Sequence, residues 1–214
     1  MRRRILIVAA ERFELLPIRK AVAARSDCEF VLVANGPGPR LASKAIARAS
    51  ANSDFDLYVS TGLCGGLRQD LRVGTVVIGT SINGVEIAQP RCGHQMVSGP
   101  IASVDRVIST REERRELSRR GAVAVEMEAA AVLDCAERSG KPCYCVKAVS
   151  DTASESFHVD LNAARDGEGR FSVLKILGQA LRAPRTAFPE LMRLRRNSLA
   201  AATALGEFFA NCNL

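Results

Sequence analysis

The sequence predicts an α/β protein built on a layered sheet, and three observations carry that expectation. Short runs rich in Val, Ile and Leu alternate along the chain with segments of helical spacing. Some of those runs, "KPCYCVKAVSD" (141–151) above all, are apolar almost throughout, as strands covered on both faces are. Turn-forming residues punctuate the ends of several runs, so the chain reads as strand, turn, helix, repeated.

Taken in order, "RILIVAA" (4–10) predicts a first strand, and "FELLPIRKAVAAR" (13–25) follows as a helix through Leu15, Leu16 and Val22. "EFVLVANG" (29–36) is a second strand ending in "NGPGP", and "RLASKAIARASA" (40–51) the next helix. "DLYVSTG" (56–62) enters the turn "GLCGGL", and "VGTVVIGTSI" (73–82) is a fourth strand. Residues 83–98 carry Gly and Pro and predict a hairpin or insertion. "GAVAVEM" (121–127) is a short strand, "EAAAVLDCAERSG" (128–140) a helix closed by Gly140, and 141–151 a buried central strand. Two helical segments, near 170–182 and 188–209, complete the chain, and 153–170 is the best candidate for a mobile loop.

The length of 214 residues fits one domain spanning 1–214, with the C-terminal helical segment 170–210 packed on it. A hydrophobic fraction of 47% and a charged fraction of 25% are those of an ordinary globular protein. Seven cysteines without a CxxC pair imply reduced thiols and a cytoplasmic protein. With only His94 and His158 beside them, no metal site is expected. The opening "MRRRILIVAA" has too short an apolar run for a leader, and no stretch approaches a membrane span. The net charge of +7 lacks the interleaved aromatics of a nucleic-acid binder. "REERRELSRR" (111–120) reads as a solvated helix face. The tail beyond Arg182 is mildly basic and reads first as a helix packed on the sheet with its arginines in water; the sharper reading is peripheral contact with an anionic membrane on its inner face.

In such sheets, sites form just beyond the strand ends, where loops meet helix N-termini. Here "AERFE", "NGPGP", "STGLCGG", "VEMEA" and "SDTAS" fall at those places and bring three carboxylates into play: Glu14, Glu128 and Asp151. Glu11 competes with Glu14, since three residues apart on a first helical turn both can face the same side.

These stretches, in this order, resemble the nucleoside phosphorylase superfamily. The closer likeness is to its methylthioadenosine/S-adenosylhomocysteine nucleosidase branch, through "ILIVAAERFELL", "NGPGPRLASKA", "VSTGLCGGLRQDLRVGTVVI" and "AVAVEMEAAAVLDCAERSGKPCYCVKAVSDTA". The resemblance implies a three-layer αβα sandwich around a mixed central sheet, homo-oligomers (dimers or hexamers), and cleavage of a ribosyl N-glycosidic bond without a cofactor. Asp151 would then be the purine acid, oriented by Ser150, and the acid's pKa is expected to rise in an apolar setting. Glu128 would hold the ribose hydroxyls, Met127 would pack on the sugar, and Glu126, pointing elsewhere, would have a lesser role. Glu14 would activate water. Cys64 and Gly65 in the "GLCGG" turn and Val107 complete the expected substrate contacts.

Departures from that pattern bear on the substrate. Leu63 stands where the nucleosidases carry a serine, Val107 where a phenylalanine stacks, and Lys147 where an arginine precedes "SD". An arginine near Ser60, found in hexameric phosphorylases, is missing, so a phosphate or water site would rest on Gly36, Gly38 and Arg40. Phosphate thus stays open as a co-substrate. Residues 167–205 and "SVDRVIST" resemble the hopanoid-associated phosphorylases, which implies removal of adenine from adenosylhopane. The alternatives are a methylthioadenosine, S-adenosylhomocysteine or futalosine-type nucleosidase and, from another class, a non-catalytic nucleoside-binding protein, against which the three carboxylates argue.

Overall fold

The first strand sets the layering. In a computed structural model, which describes residues 2–92 and 96–214, β1 (Arg3–Ala9) sends Ile5 and Ile7 to one face and Leu6 and Val8 to the other, all fully buried. Strands alternate side chains between faces, so a strand apolar on both must be covered twice. On the first side lie α1 (Arg12–Ala23) and α6 (Pro184–Asn211), which contribute Leu15, Ile18, Leu205 and Phe209. On the second lie α2 (Pro39–Ser50) and α4 (Ala129–Arg138), with Ile46, Val132 and Leu133.

Between these layers runs a mixed sheet of eight strands. The remaining members are β2 (Cys28–Ala34), β3 (Leu57–Gly66), β4 (Val76–Ile82), β5 (Val85–Glu86), β6 (Val97–Ser103), β7 (Ala124–Glu126) and β8 (Cys143–Asp151). β1 lies parallel between β2 and β3. Beyond β3 the sheet curls. β3 pairs with both β8 and β7, β8 pairs with β4, and β6 bridges β4 to β7, so β3, β8, β4, β6 and β7 form a closed ring. The expected αβα architecture around a mixed sheet is present, with this closure added to it.

Predicted elements match, the helix at 111–120 included, except at "GLCGGL", read as a turn, where β3 continues through Gly66, and at β5 and β6. Asn83 and Gly84 turn the chain into the short β5, and β6 was not foreseen, because Gly99 and Pro100 interrupt its pattern. Gly99 is required there: a Cβ on it would come within 2.5 Å of a Val123 methyl. The helix α3 (Arg111–Arg119) opens with a capping box between Thr110 and Glu113. Residues 153–170 form no regular element, yet side chains hold them. Asn162 exchanges two hydrogen bonds with the Val107 backbone, and Glu190 accepts from the His158 and Val159 amides. The chain then enters α5 (Val173–Arg182) and α6.

One expectation is overturned. Cys92 and Cys212 form a disulfide that joins the segment after β5 to the C-terminal end of α6, so the cysteines are not uniformly reduced thiols. The two are far apart in sequence and met only through the fold, which spacing rules cannot anticipate. The ground for a cytoplasmic placement weakens accordingly. His94, weighed above as a metal ligand, lies outside the described residues. Among the described residues no helix is long and apolar enough to cross a membrane.

Candidate active site

Gly65 is the hinge of the site. It pairs with Val125 of β7 on one side and Asp151 of β8 on the other, so the ends of three strands meet at its Cα. A side chain there has no room: a Cβ would lie 2.8 Å from an Arg114 nitrogen and 2.9 Å from Asp151 Oδ2. Around this junction opens a cavity of about 360 Å³, lined by Glu11, Glu14, Cys64, Gly65, Val107, Glu126, Met127, Glu128, Ser150 and Asp151 among others. Most of the residues singled out from sequence therefore face one space.

Glu126 and Glu128 differ in what they hold. Glu126 Oε2 accepts from the amides of Glu128 and Ala129, capping the exposed N–H groups at the start of α4. It also pairs with Lys147 Nζ at 2.7 Å, both side chains being fully buried. Its part is larger than expected from sequence, since it is the partner that keeps a lysine inside the sheet. Glu128 does no capping. Its Oε1 accepts from Gly38 N–H at 2.7 Å, and its Oε2 stands 3.8 Å from Lys147.

That bond bears on the loop "NGPGP". Gly38, at φ +94, turns its amide toward Glu128, and Gly36 donates to Ala10 O. The amides placed to cradle an anion are thus engaged. Arg40 is exposed and donates to Gly167 O outside the cavity. The loop serves to fix a carboxylate.

Glu14 is buried in the first turn of α1, and Oε2 has no hydrogen-bond partner among the described residues. Gly62, at φ +111, leaves it space. Burial, with the Glu128 carboxylate close by, pushes the Glu14 carboxyl up to about 8. Glu11 also lines the cavity but is only half-buried, and burial raises it too, against the pull of Arg170. Burial raises Glu128, with Lys147 opposing and Glu126 adding to the rise. For Lys147, burial favours the neutral amine, but Glu126 and Glu128 outweigh it and hold the ammonium charged.

Asp151 is not in the apolar setting expected of it. Arg114, only 2% exposed, places Nη2 at 2.5 Å from Asp151 Oδ2, while Ser150 donates to Oδ1 at 2.7 Å. Arg114 is fixed by the Ile108 and Thr152 carbonyls and by the Phe157 ring 5.4 Å away.

Sequence reading missed Arg114 and the structural role of Lys147. Both left a trace: Arg114 stands three residues before Leu117 on a helix with little else apolar, and Lys147 interrupts an apolar central strand. It also missed most of the outer wall, where Phe13, Phe157, Leu161 and Phe171 line the cavity beside Leu191 and Leu194 of the C-terminal helix.

The comparisons with known proteins bear on the fold that carries this cavity. A family model described as "Phosphorylase superfamily" matches residues 84–170. Two solved structures superpose over nearly the whole chain. The fold is nucleoside phosphorylase-like. The 5′-methylthioadenosine/S-adenosylhomocysteine nucleosidase of Helicobacter pylori has a TM-score of 0.65 at 17% identity, covering 96% of this chain and 95% of its own. The futalosine hydrolase of Helicobacter pylori has a TM-score of 0.66 at 16% identity, covering 98% and 96%. A 5′-methylthioadenosine/S-adenosylhomocysteine nucleosidase of Haemophilus ducreyi is 28% identical over 49% of this chain, a match that spans 59% of the relative. The resemblance to the nucleoside phosphorylase superfamily read from the motifs therefore holds, and this phosphorylase-like fold carries its carboxylates where the β3, β7 and β8 ends converge.

Proposed function

We propose that the protein is a nucleosidase that cleaves the ribosyl N-glycosidic bond of an adenine nucleoside. One observation carries the reading: Asp151, Glu128 and Glu14 face a single cavity, each under a different restraint. Breaking the C1′–N9 bond develops positive charge on the sugar and negative charge on the purine. Glu128, held by Gly38 N–H, accepts the ribose hydroxyls and lies near the developing cation. Asp151 delivers a proton to the purine N7, with Ser150 fixing its plane. Glu14, once ionised, takes a proton from the water that adds at C1′. The products are adenine and the free sugar, and no cofactor enters.

Water is favoured over phosphate because the glycine loop amides are engaged and Arg40 points away from the cavity. The finer reading of the substrate is adenosylhopane. It is supported by the apolar outer wall of six side chains from three segments, which suits a large hydrocarbon at the 5′ position better than a polar group. The test is adenine release from adenosine, methylthioadenosine, S-adenosylhomocysteine and a nucleoside with a long 5′ hydrocarbon, with and without phosphate. Release in phosphate-free buffer, fastest with the hydrocarbon substrate, is the expected result. Strict phosphate dependence with formation of a sugar 1-phosphate would overturn the hydrolytic assignment.

A further inference from the structure

The helix α5 is amphipathic, yet little of its apolar surface is covered. Val173, Leu174, Leu177 and Leu181 are 67%, 81%, 43% and 71% exposed, and of ten residues only Ala180 is buried. A helix of this composition ordinarily buries its leucines. Phe188 and Met192 extend the exposed apolar surface onto the first turns of α6, at 43% and 63%. The face is contiguous with the site, since Phe171, one residue before the Ser172 cap of α5, lines the cavity, as do Leu191 and Leu194.

We propose that α5 and the first half of α6 form a docking surface for an anionic lipid bilayer, which sets the cavity mouth against the membrane. Charge decides between this partner and a second copy of the chain. Residues 173–200 carry six basic side chains and one acidic, Glu190, which is buried and engaged with His158. Arg182, Arg185 and Arg196 are exposed and have no ion-pair partner among the described residues. A two-fold contact through this face would bring arginines against arginines, whereas anionic headgroups meet them while the leucines enter the acyl boundary. The docking deepens the proposed reading by naming where an apolar substrate is met. It stands on the exposed face of α5 and the first half of α6, whatever bond the cavity breaks.

The test is co-sedimentation with phosphatidylcholine vesicles with and without phosphatidylglycerol. Wild type is expected to sediment with the anionic vesicles at low salt and to be released at high salt. Leu174→Asp with Leu181→Asp, and separately Arg182→Glu, Arg185→Glu and Arg196→Glu together, are each expected to weaken that binding about tenfold or more. Thermal midpoints are expected to match wild type, which separates lost docking from lost fold. Failure of wild type to sediment with anionic vesicles overturns the proposal. So does a leucine pair variant that turns a wild-type dimer into a monomer in analytical ultracentrifugation yet binds vesicles normally. Adenine release is not a readout here, so failure of the nucleosidase reading would leave this result intact.

Discussion

Arg114 Nη2 sits 2.5 Å from Asp151 Oδ2, a buried ion pair on the acid expected to protonate the purine. Removing one partner of a buried pair leaves the other uncompensated and costs about 3–5 kcal/mol. Arg114→Met is therefore expected to lower stability by roughly that amount. Adding Asp151→Asn to it should restore part of the loss, because no ionised group is then stranded. Denaturant melts of the two singles and the double check this. Strictly additive losses would show that the pair is not coupled.

Asp151→Asn and Glu128→Gln separate the two ends of the reaction. Each is expected to lower turnover on an adenine nucleoside by about 10²–10³-fold. Asp151→Asn should bind the nucleoside with near-normal affinity, since the amide fills the same space, although it also gives up the Arg114 ion pair and with it some stability. Glu128→Gln should bind more weakly as its ribose contacts fade. Steady-state rates with a calorimetric Kd distinguish them, and near-normal turnover in both would remove these residues from the mechanism.

Glu14 has two pH signatures. As a base it works only when ionised, so turnover should climb as pH approaches about 8. Stability should move the other way. The folded state holds a proton on Glu14 up to about 8, while the unfolded chain releases it near 4.5. Between those values rising pH costs up to about 1.4 kcal/mol per unit. Glu14→Gln escapes that penalty and is expected to be about 1–3 kcal/mol more stable than wild type at alkaline pH, while turning over 10²–10⁴-fold more slowly. Melts across pH and rate profiles of the two proteins give the comparison. A variant less stable at high pH would contradict the burial argument.

The Cys92–Cys212 bridge predicts a thiol count. Denatured without reductant, the protein should expose the five free cysteines 28, 64, 135, 143 and 145 to a thiol reagent, and seven after reduction. Because the bridge closes a loop with a sequence separation of 120, reduction is expected to cost up to about 5 kcal/mol. Seven reactive thiols before reduction would mean that the bridge does not form in solution.

The carboxylate cluster was legible in the sequence because strand-end turns are local signals. "VEMEA" and "SDTAS" mark where β7 and β8 stop, and "STGLCGG", read as a turn, is the last part of β3; α/β sheets gather such ends. The charges that hold those carboxylates were not legible. Arg114 sits among arginines that are solvated, and its burial follows from Asp151, which lies far along the chain. Lys147 is kept inside by Glu126 of a neighbouring element. A charged residue reads as surface until its partner is placed, and partners come from tertiary structure. β6 was missed for a related reason: Gly99 looks like a break, but it is small because Val123 packs on it.

The curled part of the sheet has a mechanical consequence. Glu126 and Asp151 end two strands that both hydrogen-bond to β3 within a closed ring. An open sheet can splay at its edge, but a hoop of strands has no free edge there, so the gap between Asp151 and the β7 end, from which Glu128 follows two residues after Glu126, cannot widen without breaking ladder bonds. Their alignment is thus set before any ligand arrives, which keeps the reorganisation cost of the chemical step small. Adaptation to the shape of a substrate then falls to the opposite wall, where the 153–171 segment and α6 close over the cavity outside the sheet ladder. Sequence change on that wall can retune what is accepted while the hoop keeps the chemistry constant.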